Sequence, residues 1–212
     1  MKIIIGARRT SQPGWQGLER GQLDIRDRRQ WTRLFPVNSL DAVLSEHVLE
    51  HLTFDEAIAT ASNIFEFLAP GGYWRIAVPD ANNPDPIYQD MCRPGGTGRR
   101  TYDLWNRLFY GSDEPGHKFH YNLASLSSLL LSEGFQVQPL EFYDDAGRFW
   151  RAPWSPEDGW IKRSSESSYL LLDKFVAGCW NTSLIVDAIR PASTLGREFR
   201  RTSVGGEVCL WQ

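Results

Sequence analysis

His47-Val48-Leu49-Glu50-His51 places two imidazoles four residues apart with a carboxylate between them. On a helix, positions i and i+4 share a face. Two histidines so placed can hold zinc while the glutamate acts as general base, the chemistry of metal-assisted hydrolysis. The surroundings argue against that use. The string starts two residues after an apolar run at 40–44 and ends two residues before a helix N-cap at Thr53, and no acidic third-ligand motif follows at helical spacing. Glu50 and His51 are expected instead to hydrogen-bond and fix the start of the helix. Glu46 and His47 are better placed to face a ligand, so no metal ligand is assigned.

Other chemistry-bearing residues fall where strands are expected to end. Gly6-Ala7-Arg8 follows the run Ile3-Ile4-Ile5, Glu19 and Asp24 follow soon after, and Ser45-Glu46-His47 follows residues 40–44. Open α/β sheets bind ligands beyond the carboxyl ends of their strands. Gly6 permits close backbone approach, and a carboxylate such as Glu19 or Asp24 can accept the hydroxyls of a ribose. The first loop lacks G-x-G-x-x-G because Arg8 stands where a second glycine would be, which disfavours a nicotinamide oxidoreductase. His117 and His120 are titratable near neutrality and can act as bases; the other reading is that they tie a long loop to the core. Arg99 and Arg100 beside a Gly-Gly turn can meet an anion or simply be solvated.

These groups need a scaffold, and the hydropathy pattern supplies one. Ile3-Ile4-Ile5 suits a buried parallel strand. Residues 8–17 read as loop or a very short helix, and Leu23-Asp24-Ile25 as a further short strand. A helical turn is expected at 27–35 with Trp31, Leu34 and Phe35 inward. Thr53 with Glu56 three residues on is a capping box, and Ile58, Ala61, Ile64, Phe65 and Leu68 give the following helix an apolar face. Pro70-Gly71-Gly72 ends that helix, and a strand at 73–78 follows. A helix at 123–132, a strand at 135–143 and a last strand at 183–189 complete the pattern, allowing a reversed hairpin at the sheet edge. The prediction is a Rossmann-like mixed α/β sheet of about six strands with flanking helices, in one domain over 1–190. An insertion at 81–116, an irregular aromatic segment at 147–168 and a tail at 191–212 accompany it. Trp150, Trp154 and Trp160 can wall a pocket, staple the irregular segment to the core, or form an interface.

Bulk properties narrow the partners. The chain has 212 residues, 42% hydrophobic, with 23 Lys and Arg against 26 Asp and Glu, a formal net charge of −3. No basic field is present to draw nucleic acid. The three cysteines are widely spaced, without a disulfide framework. No apolar run reaches the ~20 residues of a membrane span, and the expected setting is cytoplasmic.

Taken together, the segments IIIGAR with PGW, SLDAVLSEHVLEHLTFDEA, FLAPGGYWRIAVPDANNPDP, GHKFHYNLASLSSLLLSEGFQVQPLEFYDDAGRF, DGWIKRS and SLIVDAIRP resemble a compact or reduced class I S-adenosylmethionine-dependent methyltransferase, closest to a group of short predicted methyltransferases. The resemblance spans most of 2–191. It implies S-adenosyl-L-methionine as cofactor and in-line attack by an acceptor on the sulfonium methyl. It places Gly6, Ala7 and Arg8 beside the methionine moiety, Glu19 at the ribose, and Asp24 and Ile25 on the adenine side. Ser45, Glu46 and His47 line the transfer site, with His47, His117 and His120 as candidate bases. A small-molecule or sugar-like acceptor is implied, covered by the segment after Asp80. The chain departs from the pattern in two places. Arg8 replaces the loop's second glycine and either crowds or clamps the cofactor carboxylate. The stretch from Ile5 to Leu40 is also short, without an obvious first helix or third strand. A degenerate scaffold of the same fold and a zinc hydrolase using His47, Glu50 and His51 are the competing classes.

Overall fold

The computed structural model describes residues 1–7, 10–95, 116–165, 175–176, 179–180 and 182–192. The strands are β1 (Lys2–Ile5), β2 (Trp15–Leu18), β3 (Leu40–Glu46), β4 (Leu68–Val78), β5 (Gln136–Tyr143), β6 (Phe149–Arg151), β7 (Phe175–Val176), β8 (Cys179–Trp180) and β9 (Leu184–Ile189). The described helices are α1 (Arg28–Leu34), α2 (Phe54–Phe67), α3 (Pro86–Cys92) and α4 (Leu123–Ser132). Seven strands form one sheet in the order β2-β1-β3-β4-β9-β5-β6, while β7 and β8 pair separately. β2, β1, β3 and β4 are mutually parallel. β9 runs antiparallel between β4 and β5. The result is a mixed, mostly parallel Rossmann-like sheet of seven strands flanked by helices, one strand more than the hydropathy pattern predicts.

Alternation along the central strands sorts side chains to two faces. Ile3 and Ile5, Val43, Trp74 and Ile76, and Leu184 and Val186 point to one face, where α1, α2 and α4 pack through Trp31, Ala61, Ile64, Leu126 and Leu130. Trp31 stacks on Phe67 at 5.5 Å, and its indole N–H donates to the Ile25 carbonyl at 2.9 Å. Ile4, Leu44, Ala77 and Ile185 point to the other face. No described helix packs into that core; Trp154 and Ile161 from the irregular segment cover it instead, with Trp15. Buried Arg75 anchors the cover. It donates to both Asp187 carboxylate oxygens at 2.8 Å and to the carbonyls of Ser155 and Gly159 at 3.0 Å. Glu141 accepts from the Trp154 indole and from Ser165. Trp154 is thus a staple rather than a pocket wall, whereas Trp150 stands half exposed, with its indole N–H on Asp144.

Several local expectations need correction. Trp15–Leu18 form β2, although 8–17 reads as loop or a very short helix, because pairing with the buried β1 overrides their weak alternation. Leu23-Asp24-Ile25 is not a strand; Leu23 and Ile25 are buried there as an irregular entry to α1. Leu34 faces outward at 45% exposure because α1 is too short to bury three sides. Pro70-Gly71-Gly72 lies inside β4 as an irregularity rather than as a separate turn. Gly72 is required there, since a Cβ would come within 2.9–3.0 Å of the carbonyls of Ala69, Asp41 and Leu40. Residues 96–115 of the expected insertion, Arg99 and Arg100 among them, and the tail beyond 192 lie outside the described residues.

Candidate functional site

Register brings the first candidates together. Ile5 pairs with Leu18 on one side and with Ser45 on the other, and Ser45 pairs with Ile76. Gly6, Glu19 and Glu46-His47 therefore emerge side by side at one edge. That edge holds the carboxyl ends of β1, β2 and β3, at the point where the chain order reverses, a favoured ligand crevice of such sheets. Gly6 has φ +62°, and its N–H donates to the Leu18 carbonyl at 2.9 Å. A Cβ there would stand 3.1 Å from Val48 Cγ2. Ala7 is buried in the second core, Glu19 is exposed, and Arg8 lies outside the described residues.

Asp24 and Ile25 are occupied otherwise. Both Asp24 carboxylate oxygens accept from the Arg26 guanidinium, at 2.8 and 2.7 Å, which holds its pKa below the usual carboxylate range. Ile25 is buried, and its carbonyl accepts from Trp31 and Asn63.

β3 runs on through Ser45 and Glu46, further than residues 40–44. Ser45 is buried, and its hydroxyl accepts from the Trp74 indole at 2.9 Å. Glu46 turns to the other face and accepts from the backbone N–H groups of Lys162 and Arg163, both at 3.0 Å, and from the Arg163 guanidinium. Glu46 thereby clamps the irregular segment over the crevice's edge.

The chain then turns sharply. His47 adopts φ +56°, rare for a side chain with a Cβ. Its Nε2 lies 2.9 Å from the Ser183 hydroxyl and its Nδ1 3.3 Å from Glu50 Oε1. Leu49–His51 is a single 3₁₀ turn, so His47 and His51 do not share a helical face as the string suggested. Glu50 is 1% exposed, and neither carboxylate oxygen has a hydrogen-bond partner among the described residues. Its carbonyl accepts from the N–H groups of Lys118 and Phe119, which draws His117 in. His117 Nδ1 lies 2.5 Å from the Cys92 carbonyl and Nε2 lies 4.0 Å from Glu50 Oε1. The His117 and His51 rings meet edge-on at 5.0 Å. Ligand atoms of Glu50, His51 and His117 all lie within 4.8 Å of one another.

Burial shapes the charges in this cluster. It pushes the Glu50 carboxyl up to about 8 and the His47 imidazole well below its usual value. Burial thus disfavours charge on both members of the close His47–Glu50 pair. Burial also lowers His117 and brings His120 down to about 4, and the buried His120 Nε2 has no hydrogen-bond partner among the described residues. Neutral imidazoles can accept a proton or coordinate a cation.

Two participants were not visible as such in the sequence. Ser183, just before the strand inserted beside β4, reaches His47 across 136 positions. Asp80, fully buried, accepts from the N–H groups of Asn82 and Tyr143 and pairs as a short bridge with Tyr121, which docks residues 116–121 along the same edge. No local signal announces either contact, because both depend on sheet order.

No family model and no curated protein matches the sequence. Among solved structures, a SAM-dependent methyltransferase from Archaeoglobus fulgidus is similar at 14% identity, covering 89% of this chain and 85% of that one, with a TM-score of 0.47. A SAM-dependent methyltransferase from Thermotoga maritima is similar at 12% identity over 89% and 81%, TM-score 0.44. The YcgJ protein from Bacillus subtilis is similar at 12% identity over 90% and 91%, TM-score 0.43. At such distance no residue role passes from them to this chain. No described helix is long and apolar enough to cross a membrane.

Proposed function

We propose that the chain binds S-adenosyl-L-methionine and transfers its methyl group to a small-molecule or sugar-like acceptor. The observation that carries this reading is the row of Gly6, Glu19 and His47 at the carboxyl ends of three adjacent parallel strands. The left-handed, side-chain-free turn at Gly6 lets a ligand approach the backbone, and exposed Glu19 is available to a ribose diol. Asp24 and Ile25 contribute by holding the wall behind that position, since their polar groups are already engaged. The cofactor supplies the electrophilic methyl. The chain's part is to bind, orient and exclude water around the acceptor. His47, His117 and His120 are the candidate bases, kept neutral by burial.

Calorimetric titration with S-adenosylmethionine and S-adenosylhomocysteine tests the reading. Saturable binding near 1:1 that weakens about tenfold or more in Glu19→Ala, a loss of about 1.4 kcal/mol, is the expected result. Absence of binding by folded protein would leave a scaffold of the same fold.

A further inference from the structure

We propose that Glu50, His51 and His117 form a binding site for one divalent transition-metal ion of the zinc type. The site goes beyond the methyl-transfer reading, taking His117 as a ligand in place of a base, and it differs from the His47–His51 pairing that the sequence string implies. Three observations support it. The ligand atoms of the three side chains converge within 4.8 Å of one another. The Glu50 carboxylate is buried with both oxygens lacking a hydrogen-bond partner among the described residues, a costly arrangement that a cation would relieve. The third is the orientation of His117. A carbonyl accepts only, so Nδ1 carries the proton donated to Cys92, leaving the Nε2 lone pair directed toward Glu50. A ring N–H donated to a backbone carbonyl is the usual support of a metal-bound imidazole.

The donor set selects the ion. Two imidazoles and one carboxylate suit zinc and neighbouring first-row ions rather than magnesium or calcium, which take oxygen ligands. Ligand atoms about 2.0–2.2 Å from an ion stand closer together than they do here, and small rotations of the half-buried His51 and His117 rings would close the gap. Three protein ligands leave a coordination position for water or an acceptor oxygen. His47 lies beside Glu50 and is suited to orient that carboxylate rather than to bind the ion.

The test begins with elemental analysis of purified full-length protein. Chelator-treated protein is then titrated with Zn²⁺, and with Co²⁺ for its visible absorption. The expected result is near 1:1 uptake, a rise in Tm with Zn²⁺, and cobalt bands typical of nitrogen and oxygen ligands. Glu50→Gln and His117→Gln keep side-chain bulk on two different elements. Either, if folded by circular dichroism, is expected to lose stoichiometric uptake and the Tm rise. Failure of the wild-type protein to take up close to one ion overturns the proposal whatever the variants do. Unchanged uptake in a folded variant overturns it as well. S-adenosylmethionine binding, measured with and without Zn²⁺, is a separate readout, so failure of one reading leaves the other standing.

Discussion

Glu56 holds three elements together at the start of α2. Its carboxylate accepts the Thr53 N–H at 2.8 Å, completing the capping box, and also pairs with Arg26 at 2.6 Å and Lys118 at 3.0 Å. The Thr53 bond first, then Lys118 and Arg26, hold its pKa down at about 2. A depressed carboxylate contributes stability that is complete above its unfolded value near 4.5 and disappears as pH falls through about 2. These partners are partly exposed, so the gain is modest. Glu56→Gln should cost about 0.5–1 kcal/mol at pH 7, and the gap to wild type in urea melts should close between pH 4.5 and 2. Gly6 is constrained by conformation. Left-handed backbone costs about 1–2 kcal/mol for a residue with a Cβ, and Val48 stands close to where that atom would go. Gly6→Ala is expected to lower Tm and to weaken S-adenosylmethionine binding about tenfold or more by calorimetry, as 1.4 kcal/mol corresponds to tenfold. Unchanged affinity would remove Gly6 from the cofactor site.

Between elements, the buried Arg75–Asp187 pair joins β4 to β9 and fastens the irregular segment through two carbonyls. Arg75 also lies over the Trp154 ring at 4.9 Å. Removing one member of a buried pair strands the other charge, at a cost of about 3–5 kcal/mol. Arg75→Ala should destabilise by that amount in denaturant unfolding. Arg75→Met with Asp187→Leu should recover most of it, because the second face then packs as apolar surface. If the single substitution costs under about 1 kcal/mol, the irregular segment is held by its tryptophan and glutamate contacts instead.

For the molecule as a whole, strand order departs from chain order. β9 is the last of the described strands in sequence yet fills the gap between β4 and β5, giving hydrogen bonds to both. Leu184, Val186 and Ala188 complete the helix-covered core, and Ile185 completes the other. A chain ending at Ser165 lacks this strand and exposes two long strand edges. It is expected to show no cooperative thermal transition and to aggregate. A cooperative melt of that fragment would show that the parallel half folds without β9.

Sequence alone was sufficient where the forces are local. Apolar runs marked β1, β3 and the central part of β4, the Thr53–Glu56 capping box set the start of α2, and the apolar pattern at 123–132 marked α4, because caps, turns and periodicity act within a few residues. It also identified Gly6, Glu19, Glu46 and His47 as strand-end residues, which β-sheet register then set side by side. The tertiary structure decided the rest. β2 has too little alternation to be recognised without its partner β1, and the covering of the second face by Trp154 and Ile161 depends on long-range packing. The spelling His47–His51 suggested a helical pair, yet the turn at His47 breaks that geometry. Glu50 instead meets His117, 67 positions away in the chain. Such meetings follow from which backbone N–H groups find a carbonyl after the sheet has closed, and no local pattern encodes that choice.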